Sequence, residues 1–324
     1  MDSRLLLAVT LATVLAGAPA GAAKASAVTA PQQLKVGGQP FGVAIDAQRG
    51  RAYVADSTNN VLGIIELASG TTAYVETGRQ PNHVVLDGGR VFVSSFTDAS
   101  VTVIDTSTDR VIKTLKVGGL GLALDRVTKR LYAAGGTAIG VVDTTTLELV
   151  ASIAAPRGAN LWGVAVDPAA SRLYVTDIAN PRVLVYDEAA RTPLGEIALD
   201  APGRFALAVG GTGRLYVASF VEKAAQLSII DGRKGELLGR VPTGGFPVAI
   251  AVDEASGIVY AASSLDHTVT SVDAGTRAVL GKANAGSQAA GLAFNPATGR
   301  LYVASSGGPR PSAKPFPDVQ GVRP

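Results

Sequence analysis

The chain has 324 residues, no cysteine, two histidines, one methionine and a formal charge of +3. Without cysteine there is no disulfide, no thiolate metal site, no cysteine-linked haem and no lipobox, and a zinc site built on cysteine and histidine goes with them. So balanced a charge does not point to nucleic acid or to an anionic membrane surface.

The N-terminus predicts a secretory signal peptide over residues 1–27. Arg4 supplies a basic start, Leu5–Ala16 is an apolar run of 12, and Ala18-Pro19-Ala20, Ala20-Gly21-Ala22 and Ala25-Ser26-Ala27 are cleavage options. Twelve apolar residues are too few for the roughly 20 that cross a bilayer. The expectation is an exported protein, periplasmic or extracellular, with no membrane span once the peptide is removed.

Residues 28–306 read as a repeat. Tyr53, Phe92, Tyr132, Tyr174, Tyr216, Tyr260 and Tyr302 each sit in a strand-like run, at gaps of 39, 40, 42, 42, 44 and 42 residues. A period near 40 marks a repeat architecture. The fourth unit shows its make-up: Trp162–Asp167, Arg172–Asp177, Arg182–Asp187 and Thr192–Ala198 are four alternating runs separated by turn residues. Large side chains on one side of the first strand (Val43, Val84, Leu122, Val164, Leu207, Ile250, Leu292) oppose small ones on the other, as blades stacked around an axis require. The fold expected is all-β: a seven-bladed β-propeller of four-stranded antiparallel blades. Leu34-Lys35-Val36-Gly37-Gly38 repeats Leu115-Lys116-Val117-Gly118-Gly119, so the seventh blade is expected to be closed by this N-terminal strand. Residues 307–324 carry five prolines and read as a flexible tail, with Asp318–Val322 as a poor alternative closing strand.

Tyr174-Val175-Thr176-Asp177 at the second strand, with Tyr53-Val54-Ala55-Asp56, Phe92-Val93-Ser94-Ser95 and Tyr216-Val217-Ala218-Ser219 as looser copies, resembles the YVTN family of β-propellers. Third strands ending Val103-Ile104-Asp105-Thr106 and Ile229-Ile230-Asp231 look similar too. The resemblance spans about residues 34–305 and implies an exported binding module. A propeller by itself does not specify an activity.

Most polar residues recur and read as scaffold. Asp46, Asp87, Asp125, Asp167 and Asp253 end first strands, and Asp105, Asp143, Asp187, Asp231 and Asp273 end third strands, where Asp favours turns. Such a ring offers no pair of carboxylates in distinct environments for acid–base work. Arg51, Arg90, Arg130, Arg172, Arg214 and Arg300 share one slot before the aromatic residue and predict a surface or inter-blade ion-pair position. No nucleophile elbow, phosphate loop or metalloprotease motif is present, and no motif calls for a cofactor.

Departures from the repeat carry the functional reading. The loops entering the first strands should meet at one mouth of the channel, bringing together Phe41, Asn82, His83, Asn160, Trp162, Arg204, Phe205 and Phe246. Rings bury area, while amides and a guanidinium orient a polar ligand. His83 stands where other blades have Gly42, Gly121, Gly163, Ala206, Ala249 and Gly291. It is either a ligand contact or a filler beside a shortened hairpin; His267 reads as a loop residue. The leading expectation is a non-enzymatic exported module that binds a protein, glycan or small polar ligand at this mouth. The alternatives are a propeller lyase or lactone hydrolase using a mouth histidine or a divalent metal, and a structural envelope or surface-layer protein.

Overall fold

β-Branched and aromatic residues alternating with small ones suit a pleated, buried surface, and in the computed structural model these runs are strands. The structure describes residues 14–15, 36–200, 203–221 and 224–307; among them every regular element is a strand. Six antiparallel four-stranded sheets follow one another in sequence order: Pro40–Glu76, Pro81–Leu115, Leu122–Ala154, Leu161–Ala198, Gly203–Pro242 and Pro247–Asn284, called blades 1 to 6. The chain is therefore a β-propeller of four-stranded antiparallel blades. In blade 4, Asp167 pairs with Arg172, Tyr174 with Val185 and Val185 with Gly195.

The strand-ending aspartates build the turns as expected. Asp105 Oδ1 accepts the N–H groups of Ser107 and Thr108, and Asp143 Oδ1 those of Thr145 and Thr146. Asp231 does the same for Arg233 and Lys234. The Ser107 hydroxyl and these N–H groups draw the Asp105 carboxyl down to about 2.

The aromatic ladder is the core. Each ring is buried and lies in the layer between its own blade and the next. Tyr53 packs with Val91 and Val93, Phe92 with Leu131, Tyr132 with Leu173 and Val175, Tyr174 with Leu215 and Val217, and Tyr216 with Val259. Burying one such side chain contributes roughly 1.5–3 kcal/mol, and the ladder repeats that contribution around the ring.

The seventh unit departs from the expected closure, leaving six complete blades and not seven. Ser287–Asn295 and Arg300–Gly307 form an antiparallel hairpin, and the strand next to Arg300–Gly307 is the two-residue Val14–Leu15, paired with Leu301 and Arg300. Val36, Gly37 and Gly38 form no strand, and Leu34 and Lys35 lie outside the described residues. Among the described residues the place beside Arg300–Gly307 is taken by Val14–Leu15, and residues 36–38 do not pair there. Val36 packs its side chain with Val43, Val54 and Ile65 of blade 1 and with Tyr302 of the hairpin, and its carbonyl accepts from the Tyr74 hydroxyl at 2.8 Å. Tyr302 thus joins the last hairpin to the first blade, and Tyr260 joins blade 6 to it through Leu301 and Val303. The predicted signal peptide, apart from Val14–Leu15, and residues 308–324 of the predicted tail also lie outside the described residues.

The arginine slot reaches across blades, but its partners are mainly carbonyls. Arg51, Arg172 and Arg214 donate to the carbonyls of Thr106, Gly232 and Ala274 in the following blade at 3.1, 2.9 and 3.0 Å, and Arg90 donates to that of Thr144. Arg51 adds ion pairs to Glu66 and Asp109. Arg130 turns back to Asp143 of its own blade. Replacing Arg172 by Ala should therefore lower stability by about 1–2 kcal/mol in urea unfolding, because a charged donor leaves inter-blade carbonyls unsatisfied. Arg130→Ala should cost less, about 0–1 kcal/mol, as a partly exposed ion pair does. Equal losses would remove the clamp from this account.

Candidate functional site

The first strands converge at one mouth, where a pocket of about 530 Å³ opens. Phe41, Asn82, His83, Trp162 and Phe246 line it, joined by Gln39, Gln80 and Gln288. Five of the eight residues expected here are thus brought together. Asn160 is not among them. It is exposed on the rim, its N–H held by Asp177 Oδ1 at 3.0 Å and its carbonyl accepting from Ile178. Arg204 and Phe205 lie on the first strand of blade 5, and their side chains are outside the description.

The second-strand motif holds this mouth in shape. The first strands of blades 2 and 4 slip register between Pro81 and Val84 and between Leu161 and Val164, which takes the residue before Val84 or Val164 out of the ladder. Its N–H needs another acceptor. Thr176 Oγ1 accepts from Gly163 at 2.8 Å, and Ser94 Oγ accepts from His83 at 3.0 Å while donating to the Leu120 carbonyl. The motif's final Asp ties the incoming loop. Asp56 takes the N–H groups of Gln39, Thr58 and Asn59, and Asp177 those of Asn160 and Ala179 plus the Arg182 guanidinium. Burial works to raise the Asp177 carboxyl, but these donors outweigh it and hold it below its ordinary value.

The His83 slot has a steric meaning. At Gly42 and Gly121 a Cβ would stand 2.5 Å from the carbonyl oxygens of Asn82 and Trp162 in the next blade, so glycine permits the inner strands to touch. Gly121 N–H donates across this seam to Trp162 O at 2.9 Å. In blade 2 the imidazole replaces that contact: Leu122 N–H donates to His83 Nδ1 at 3.3 Å. His83 is exposed at the pocket, with the propeller wall around its ring. That desolvation pushes the imidazolium down to about 4. At neutral pH the ring is uncharged, with Nδ1 accepting and its proton on Nε2. His267 uses the same atom structurally, accepting the Gln288 N–H at 3.1 Å.

Aromatic side chains frame the opening. Phe96 and Trp162 meet at a centroid distance of 6.2 Å, and Phe220 meets Phe246 edge-on at 5.6 Å. Gln80, Phe246 and Gln288 occupy equivalent positions with φ of 53°, 57° and 51°, a left-handed conformation rare for bulky residues. Sequence reasoning did not include Phe96 or Phe220. Phe96 follows the second strand of blade 2 and Phe220 lies near the end of that of blade 5, where second strands end beside the starts of the first strands in an antiparallel pair. The signal was present: other blades place Ser57, Ile178 and Ser264 in that slot.

A second concavity lies where the first strands end, lined by Asp125, Asp167 and Glu254 among others. Beside it is a pair of carboxylates in distinct environments, contrary to the expectation from the repeat. Glu188 is buried and accepts from the Tyr132 hydroxyl at 2.9 Å. Burial first, and then a proton shared with Asp125, raise Glu188 to about 7. Burial also acts to raise Asp125, but donors from Thr128, Val127 and Glu188 bring it below its ordinary value. Among the described residues no group of three or more His, Cys, Asp or Glu is placed to hold a metal ion.

Fold and site together define a β-propeller with a ligand-sized, aromatic-rimmed pocket at one mouth. No family model matches the chain, and no curated protein matches it. Among solved structures it is similar to hydrazine synthase of Kuenenia stuttgartiensis, with a TM-score of 0.75 and 18% identity over 88% of this chain and 96% of that one. Identity at that level speaks to the fold alone.

Proposed function

We propose that this protein is an exported, non-enzymatic propeller of the YVTN type that binds its ligand at the mouth lined by Phe41, Asn82, His83, Trp162 and Phe246. The observation that carries the reading is the pocket itself. Rigid first strands present rings and side-chain amides into about 530 Å³, within the range of small-molecule sites. Export is supported by the Leu5–Ala16 apolar run and the Ala-x-Ala sites behind it, and the family by Tyr174-Val175-Thr176-Asp177. None of the described lining residues is a carboxylate. A neutral imidazole that already accepts a backbone N–H through Nδ1 is a donor, not a base.

Native mass spectrometry of protein recovered from the exported fraction of its own cells should show a retained ligand and a mass reduced by the removed leader. Trp162→Ala should weaken that ligand by about tenfold or more, equivalent to about 1.4 kcal/mol, while leaving thermal unfolding nearly unchanged. Unaltered affinity in both Trp162→Ala and Phe41→Ala would place the binding site elsewhere.

A further inference from the structure

We infer that the mouth takes an uncharged saccharide, seated on the Phe96–Trp162 rings and held by side-chain donors that include His83 Nε2–H. The inference rests on the binding reading above and narrows its ligand. Three observations carry it.

The first is charge. The described residues lining the pocket include glutamines, Asn82, serines and His83, but no Asp, Glu, Lys or Arg. Among the described lining residues none would compensate the charge of an ionic ligand as it leaves its solvation shell. The His83 imidazole accepts the Leu122 N–H through Nδ1, a contact that its neutral form makes.

The second is the state of the rim backbone. The N–H groups of Gln39, Gln80, Asn160 and Gln288 are held by Asp56, Asn60, Asp177 and His267. Those of His83, Gly121 and Gly163 are held by Ser94, Trp162 O and Thr176. A peptide laid in as an added strand recognises its host through free backbone groups, and these are taken. Recognition falls to side chains, which suits hydroxyl groups.

The third is the orientation of the donors. Leu122 N–H on Nδ1 fixes the His83 proton on Nε2. The Thr97 hydroxyl, 2.6 Å from Gln80 Oε1, turns that amide so that its NH2 is what it offers. Donors of this kind meet ring and hydroxyl oxygens, while the tilted Phe96 and Trp162 rings meet the C–H face of a pyranose.

Trp162 is the only tryptophan in the chain, so its emission reports on the pocket directly. The purified protein would be titrated with cellobiose, maltose and N,N′-diacetylchitobiose, with glucuronic acid and glucose 6-phosphate, and with an uncharged pentapeptide. At least one neutral disaccharide should shift Trp162 emission, bind at least tenfold more tightly than the anionic sugars, and keep its affinity between pH 5.5 and 8. His83→Ala should reduce that affinity at least tenfold, and His83→Gln, which restores an N–H donor, should recover part of it. Phe96→Ala, at an exposed position that leaves the core filled, should weaken binding severalfold without any change in folding. Anionic sugars binding as tightly as neutral ones, no response to any of the three disaccharides at millimolar concentration, or a response to the peptide alone would each overturn the saccharide assignment. In the last case the mouth still binds. A ligand from the native source that ignores Trp162, His83 and Phe96 would overturn the mouth as well.

Discussion

Alanine at Gly291 should open the ring. A Cβ there would fall inside the van der Waals envelope of the Phe41 carbonyl, a backbone atom of blade 1, with the Ala304 side chain behind it at 3.4 Å. Neither neighbour is the end of a flexible side chain, so only movement of the hairpin away from blade 1 relieves the clash. Overpacking typically costs about 1–3 kcal/mol. This junction should sit at or above the top of that range, because it is held by a hairpin and the layer around Tyr302 and Val36, whereas blades 1 to 6 meet one another as complete four-stranded sheets. A fall of about 3 kcal/mol or more is expected in urea unfolding, with faster proteolytic loss of the C-terminal hairpin. Gly42→Ala and Gly121→Ala, each 2.5 Å from a neighbouring carbonyl, should lose about 1–3 kcal/mol. Gly89→Ala, with nothing within 4 Å, is the control and should be silent. A Gly291→Ala protein as stable as the control would mean that the last hairpin does not close against blade 1 in this way.

What the sequence made legible was whatever repeats. Tyr174 and its six equivalents recur at gaps of 39 to 44 because each blade is nearly the same length, and alternation alone assigns their burial. Asp105 and Asp143 act through residues two and three along the chain, so their turn role is a local property. Unrepeated residues such as His83 and Trp162 stood out against that regularity, and both line the pocket. Contacts between units were harder to read. Asn160 aligns with Gln39 and its N–H is held by Asp177 as that of Gln39 is by Asp56, yet Gln39 lines the pocket and the exposed Asn160 does not. Phe96 reaches Trp162 across blade 3, whose first strand is only Leu122–Asp125. The 34–38 sequence copies an outer strand well, yet residues 36–38 form no strand, and among the described residues Val14–Leu15 is what pairs with the last hairpin. Asp125 looked like one turn residue among many. Its distinct chemistry comes from Glu188 in the next blade, in a slot that elsewhere holds Thr106, Thr144, Gly232 or Ala274.

That pair predicts an unusual dependence of stability on pH. Glu188 has an ordinary value of 4.5 and is raised to about 7 in the folded protein, by burial first and then by Asp125. Below pH 4.5 it is protonated whether folded or not, and its contribution to stability is fully present. As pH rises from 4.5 towards 7, the unfolded chain releases the proton and the folded one retains it, so the balance moves towards unfolding. At about 1.4 kcal/mol per unit of displacement, and with the proton shared with Asp125, the loss should approach about 2–3 kcal/mol by pH 8. Asp125 has the opposite sign: its lowered value supports the fold above its ordinary 3.8 and fails only in more acid solution, outside this window. Glu188→Gln keeps an amide donor towards Asp125 and removes the titration. It should match the wild type at pH 4.5 and exceed it by up to about 2 kcal/mol at pH 8, read from urea unfolding at half-unit steps of pH. Tyr132→Phe tests the geometry separately. The Tyr132 hydroxyl donates to Glu188 Oε1 and favours its ionised form, so removing it should push Glu188 higher and steepen the loss above pH 6. A Glu188→Gln protein whose difference from wild type does not change with pH would show that Asp125 and Glu188 do not share a proton across the seam between blades 3 and 4.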